Sequence, residues 1–356
     1  MKRLYISISH HGLGHLAQTA PVLHALRARQ SDLEFVVQSA LPETHLAARL
    51  PAPFRHLTGA VETAFVMHDA LRVDVPASRA AFAAFHKDLQ QRTDTLAREL
   101  DRLQIDAVFS NVAYLPLLAA QRSARPAWAC CSLNWADIYS HYLGQDAIWE
   151  TMAKAYAGAT VFFQPTPSMP MEWIAHRQPV GPLARHGQRC RQALAEALKV
   201  DVDTRWWLVG MGGFGWQAPP DFLPCRPRHV WLLPDDWPGP LRADQRYFSA
   251  ARRSFMEVLA SCDGLLTKPG YGSFVEAATL GLDVLYLPRA DWPESLALTT
   301  WLHAHARAAA VSVGPWGCGE GVAAALQGIE AMPRRLIPRP DGADTIADWI
   351  LSGRGC

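Results

Sequence analysis

The sequence has no excess charge of either sign. Its 34 Lys and Arg offset 33 Asp and Glu, for a formal net charge of +1. No run of like charges is long enough to follow a phosphate backbone or an anionic lipid surface, so nucleic acid and membrane partners are not expected. Long apolar stretches are also missing. None approaches the about 20 residues that cross a bilayer. The apolar run at 4–9 is too short, and too soon broken by His10 and His11, for a secretory leader. Cysteine is sparse: seven residues, an odd number, with no Cys-x-x-Cys pair. Cys130 and Cys131 lie in an apolar run and read as core. Neither a disulfide frame nor structural zinc is indicated, and the expected compartment is the reducing cytoplasm.

What is present is ample material for packed cores. Hydrophobic residues make up 49% of 356, a length that allows two domains. Strand-like runs occur at 3–9, 33–38, 105–110, 127–132 and 160–163. They recur at 206–209, 229–233, 264–267, 284–287 and 310–313. Helical spacing of apolar residues marks 16–29, 89–103, 191–198, 254–261, 274–280 and 344–351. Short apolar strands alternating with amphipathic helices argue for parallel sheets covered on both faces. The rhythm breaks at Pro165, Pro167 and Pro170, and again at Pro179-Val180-Gly181-Pro182, which reads as a linker. The expected division is a first domain at 1–178, a linker at 179–186, a second domain at 187–340 and a last helix at 341–356. The expected fold class is α/β, with two doubly wound Rossmann-like domains facing a cleft. Ligands would gather at the carboxyl ends of the strands.

Five loops follow strands and carry polar chemistry. The first is His10-His11-Gly12-Leu13-Gly14-His15. Gly12 and Gly14 let a backbone approach a ligand, and a helix N-terminus favours an anion. The spacing fits the dinucleotide fingerprint, but strand two ends Val37-Gln38-Ser39 without the acidic residue that fingerprint needs. His11 and His15 have the i, i+4 spacing of a metal pair but no zincin glutamate, and no metal is expected. A histidine here suits proton transfer, with His15 the candidate base and His11 beside it. A histidine that only fixes the turn is the competing reading.

The second loop is Lys268-Pro269-Gly270-Tyr271-Gly272-Ser273, running into Glu276. Amides at Gly270, Gly272 and Ser273 would hold a diphosphate. Glu276 would accept ribose hydroxyls, although Ser273-x-x-Glu276 also reads as a capping box. The third loop offers Arg289 for phosphate and Asp291 and Glu294 for sugar hydroxyls, with Trp292 to pack on a sugar face. The fourth, 210–215, places Gly212 and Gly213 near the phosphates. The fifth holds Asn134, Trp135 and Asp137, read either as an acceptor site or as aromatic core with polar edges.

The first, second and fifth loops carry a resemblance. His10 to His15 is similar to the Gly-His-Gly-x-Gly-His start found in GT-B glycosyltransferases. The closest subgroup resembles the glycosyltransferase-like domain fused to sugar kinases of the L-arabinokinase type. More distant is the N-acetylglucosaminyltransferase of peptidoglycan synthesis. Asn134 to Tyr139 is similar to the group's Trp-Asp-x-x-Tyr segment, and Ser261 to Ala277, including Lys268, Gly270, Tyr271 and Glu276, to its glycine loop. The resemblance implies an inverting transfer without metal or cofactor. The donor would be a nucleotide diphosphate sugar, expected to be a UDP-sugar, and the acceptor is unidentified. It implies a nucleotide held by Gly272, Ser273 and Glu276, and His15 as base. The peptidoglycan enzyme's glutamine-rich sugar-contact motif is absent around Asp291, which leaves N-acetylglucosamine as donor open. No kinase sequence follows, so a free-standing version is expected. An epimerase or hydrolase of nucleotide sugars and a non-catalytic sensor are the alternatives.

Overall fold

A computed structural model describes residues 1–69, 71–212, 221–312 and 319–353. They form two compact units. The first comprises 1–68, 72–184 and 340–356, and the second comprises 69–71 and 185–339.

The first unit is a seven-stranded parallel sheet in the order β3-β2-β1-β4-β5-β6-β7. Its strands are β1 (Arg3–Ile8), β2 (Glu34–Ser39), β3 (Arg55–Thr58), β4 (Ala107–Asn111), β5 (Ala127–Cys130), β6 (Val161–Pro165) and β7 (Arg177–Val180). The inner strands are buried along nearly their whole length, as a sheet covered on both faces requires. Helices α1 (Gly14–Arg29), α2 (Glu43–Ala47), α3 (Val75–Lys87), α4 (Leu89–Arg102), α5 (Leu115–Arg122), α6 (Trp135–Leu143) and α7 (Ala147–Ala157) connect them. The proline-rich stretch read as a linker from 179 onward begins inside β7. An edge strand tolerates Pro179, because an edge can spare an amide.

The second unit is a six-stranded parallel sheet, β10-β9-β8-β11-β12-β13. Its strands are β8 (Arg205–Val209), β9 (His229–Leu233), β10 (Gln245–Tyr247), β11 (Gly264–Thr267), β12 (Asp283–Tyr286) and β13 (Ala308–Ala310). Helices α8 (Arg191–Leu198), α9 (Phe255–Ser261), α10 (Tyr271–Thr279), α11 (Ser295–His305) and α12 (Glu320–Glu330) flank it. Trp207, Trp231, Leu266, Leu285 and Ile329 anchor one of its cores. At the amino ends of its strands, buried Asp283 binds Arg205 at 2.7 Å and Arg307 at 2.6 Å, so charge at that end is neutralised within the fold.

The last helix, α13 (Gly342–Leu351), belongs to the first unit. It packs on α1, where Arg29 meets Asp344 at 2.9 Å and Asp348 at 2.6 Å. Trp349 sits edge-on to Phe163 and Trp128, with ring centroids 5.4 and 6.5 Å away. In each sheet the chain winds outward first to one side and then to the other. The turning points lie between β1 and β4 and between β8 and β11, and loops at such points part to leave room for ligands.

Candidate functional site

In the first unit the turning point brings the His10–His15 loop, after β1, against the end of β4. Gly12 adopts φ 79°, and its amide donates to the His10 carbonyl at 2.8 Å. His15 enters α1 as a buried residue, 5% exposed. Its Nδ1 lies 2.8 Å from Asn111 Oδ1. The Asn111 amide nitrogen donates to Gln18 Oε1 at 3.3 Å, and Gln18 Nε2 donates to Ser132 Oγ at 2.7 Å. That chain leaves the Asn111 carbonyl oxygen facing the ring, so Nδ1 carries the proton and Nε2 the lone pair. Burial lowers the His15 pKa to about 4; the Asn111 bond pulls it up and His10 pulls it down, both less strongly. At neutral pH this imidazole is uncharged.

His10 and His11 are more open. His11 meets the Trp135 ring edge-on at 5.4 Å. The His10 side chain is 39% exposed, and its Nδ1 lies 3.7 Å from Glu62 Oε1. Glu62 is 6% exposed, and its Oε2 accepts from Trp135 Nε1 at 2.8 Å. Burial pushes this carboxyl up to about 7, against the opposing pull of bonds from Ser9, Trp135 and the His10 amide. Sequence reasoning passed over Glu62, Asn111 and Gln18.

The fifth loop lies mostly beneath the surface. Asn134 caps α6, accepting from the Asp137 amide at 2.8 Å and donating to Asp137 Oδ2 at 2.7 Å. Asn134 and Trp135 are fully buried, so of the two readings of this loop these two residues follow the core one: they brace α6 and Glu62. Asp137 is partly exposed and accepts from Trp173 Nε1 at 2.8 Å.

In the second unit three loops converge at the carboxyl ends of β8, β11 and β12. Gly210 donates to Leu266, and Leu287 to Thr267, which sets the loops side by side. Gly212 adopts φ 72°, a left-handed backbone that favours glycine, and a Cβ placed on it would lie 3.9 Å from Lys268 Cε. Gly213 lies outside the described residues. Burial lowers the Lys268 pKa to about 8; Arg289 adds to that, and Glu294 opposes it. Arg289 stacks over Trp292 at 4.0 Å, and Trp292 Nε1 donates to Glu294 Oε2 at 3.3 Å. Arg289, Trp292 and Glu294 are all buried, so the Trp292 face expected to meet a sugar is taken by the guanidinium. Asp291 is exposed.

The glycine loop departs from one sequence expectation. Helix α10 starts at Tyr271, with Gly270 as an extended N-cap and no side-chain cap. Ser273 is therefore the third helical residue and Glu276 the sixth. A capping box between them is excluded, because the glutamate of such a box must be the third. The true capping box is Ser254 with Glu257, at the start of α9. The first bond within α10 runs from the Phe274 amide to the Gly270 carbonyl at 3.1 Å. The earlier amides, including those of Gly272 and Ser273, point out of the helix end beside Lys268, as first-turn amides must. Glu276 is 2% exposed.

Solved structures share this architecture across nearly the whole chain. The glycotransferase of kitacinnamycin superposes with a TM-score of 0.61 at 13% identity, covering 98% of each chain. UGT89C1 of Arabidopsis thaliana, solved with quercetin, gives 0.60 at 15%, covering 98% of this chain and 94% of its own. A protein described as a UDP-N-acetylglucosamine 2-epimerase from Listeria monocytogenes gives 0.57 at 12%, covering 99% and 96%. The fold is GT-B. No protein-family model and no curated protein matches the sequence. Identities this low establish architecture, and the chain's own residues must carry any assignment of chemistry. Among the described residues no helix is long and apolar enough to cross a membrane.

Proposed function

We propose that the chain transfers a sugar from a nucleotide diphosphate sugar, with UDP as the nucleotide, to a hydroxyl-bearing acceptor. The observation that carries this reading is the turning point of the second sheet. There the end of α10, Lys268 and Gly212 come together in one place. Leaving diphosphate gains negative charge as the glycosidic bond breaks, and fixed amides plus one ammonium are suited to receive it. Such preorganised donors are worth about 3 kcal/mol each. In this reading Lys268, Gly272 and Ser273 take the diphosphate, Glu276 takes ribose hydroxyls and Asp291 stands at the sugar. Lys268 and the amides supply the charge stabilisation that a metal would otherwise provide. The His10–His15 loop of the first unit takes the acceptor's proton, and inversion follows from a single displacement.

A fold shared with a glycotransferase and with a 2-epimerase supports nucleotide-sugar chemistry without choosing between the two. A thermal-shift series with UDP, GDP, dTDP and ADP tests the nucleotide. Ligand at 100 times its Kd adds about 2.7 kcal/mol of stability. No shift with any of the four overturns the proposal. Product analysis then separates the reactions: released UDP marks transfer, whereas an epimerised UDP-sugar marks the alternative.

A further inference from the structure

The three histidines of the first loop are not equivalent. His15 sits in the position that the family resemblance assigns to the base, yet it is 5% exposed and its Nδ1 partners are a neutral amide and the Cys131 thiol. His10 stands where the resembling motif has glycine. Its side chain is 39% exposed, and a carboxylate oxygen lies 3.7 Å from its Nδ1. A base must first reach the proton it removes. A carboxylate behind an imidazole orients the ring and stabilises the cation that forms, which an amide does less well.

We propose that His10 is the proton acceptor of the transfer step and that Glu62 is its positioning residue, with His15 shaping the loop through Asn111. This rests on the transferase reading above. The acceptor oxygen attacks the anomeric carbon while the bond from that carbon to the diphosphate oxygen breaks, its electron pair leaving with UDP. The acceptor's proton passes to His10 Nε2, and later to solvent. Glu62 faces the emerging imidazolium from behind, at Nδ1.

The surroundings suit that task. Glu62 is held by Trp135 Nε1 at 2.8 Å on Oε2, which turns Oε1 towards His10. The other titratable groups coupled to this pair are His15, which His10 disfavours in its charged form, and the buried phenols Tyr114 and Tyr156, which feel Glu62. Both phenols are held far above their ordinary range and stay neutral. The carboxyl of Glu62 is pushed up to about 7, so the pair becomes competent as the pH rises past neutrality.

The test has three arms. UDP release is followed from UDP-glucose and UDP-N-acetylglucosamine with a panel of phenolic and sugar alcohol acceptors. His10→Ala should lower kcat at least about 100-fold, the scale of a lost general base, with donor KM and UDP affinity unchanged, and added imidazole should restore part of the rate. Glu62→Gln, which keeps the Trp135 bond, should lower kcat and remove the rise with a midpoint near pH 7. Turnover of His10→Ala within threefold of wild type, or an unmoved pH profile in Glu62→Gln, overturns the assignment. Nitrogen NMR of the histidine rings reads the pair without any acceptor. Neutral His10 should carry its proton on Nδ1, and its ring signals should shift with a midpoint near pH 7 as Glu62 ionises, a step absent in Glu62→Gln. A His10 titration indifferent to Glu62 overturns the pair. Absence of any UDP shift overturns the nucleotide reading instead, and UDP binding without UDP release overturns transfer; in both cases the NMR arm alone decides whether the pair exists.

Discussion

Replacing Glu62 by glutamine should stabilise the protein increasingly as the pH rises from about 4.5 to above 7. The carboxyl is buried, and its pKa rises from 4.5 to about 7. The folded state therefore holds this proton more tightly than the unfolded chain does. Relative to high pH, the resulting stabilisation is complete below about 4.5 and is lost as the pH climbs through about 7. The full span corresponds to about 3 kcal/mol, of which about 2 kcal/mol falls between pH 5.5 and 8.5. Glutamine has no proton to lose and resembles the neutral acid in shape. Its oxygen can still accept from Trp135 Nε1, now at 2.8 Å from the carboxylate. The first unit has roughly 200 residues, so each kcal/mol moves its Tm by about 2–4 °C. Calorimetry at both pH values should show the Gln variant gaining about 4–8 °C on wild type between pH 5.5 and 8.5. A constant offset, or a variant that loses ground at pH 8.5, would refute the argument that burial dominates at Glu62. Together with the expected fall in kcat, the result would mark Glu62 as a group kept at a cost to stability.

Lys268→Ala should weaken UDP binding by about 10- to 100-fold, the size of a charge-assisted bond, and in the wild type affinity should decline as the pH rises through about 8, where Lys268 loses its proton; titration calorimetry across pH 7–9.5 checks both. Asn111→Asp sets a carboxylate against His15 Nδ1 and should raise the His15 pKa from about 4 by about 1–3 pH units, read by NMR; an unmoved titration would mean that Asn111 is not the ring's partner in solution. In Gly342→Ala the new Cβ would lie 2.0 Å from the Gly181 carbonyl oxygen, so the start of α13 must shift, and stability should fall by about 1–3 kcal/mol; a Tm equal to wild type would sink the packing argument.

Much of the architecture was legible because parallel strands are buried on both faces and read as continuous apolar runs. Trp206 to Val209 and Gly264 to Thr267 are of that kind, and both match observed strands closely. Strands at the margins lack the signal. Arg55-His56-Leu57-Thr58 is an edge strand with polar residues, and Arg177–Val180 hides behind a proline. The glycine loops stood out by composition. The residues that complete the first site did not. Glu62 lies in an irregular stretch where no periodicity marks burial, and the indole that holds it, Trp135, comes 73 positions later. Asn111 falls just past the apolar run at 105–110, and its meaning comes from His15, 96 positions earlier. Ser273 and Glu276 show the opposite case. Their spacing imitates a capping box, but Gly270 starts the helix three residues sooner.

The return of α13 to the first unit has a consequence for how the chain is made. The surface of Trp128 and Phe163 that Trp349 covers is complete only when residues 340–353 have been synthesised. Synthesis from the amino towards the carboxyl end therefore delivers the second unit whole before the first can close. Until then the first unit waits with its α1 flank uncovered, and Arg29 has no acidic partner from Asp344 or Asp348. Assembly order is thus the reverse of reading order: the part begun first is the part finished last.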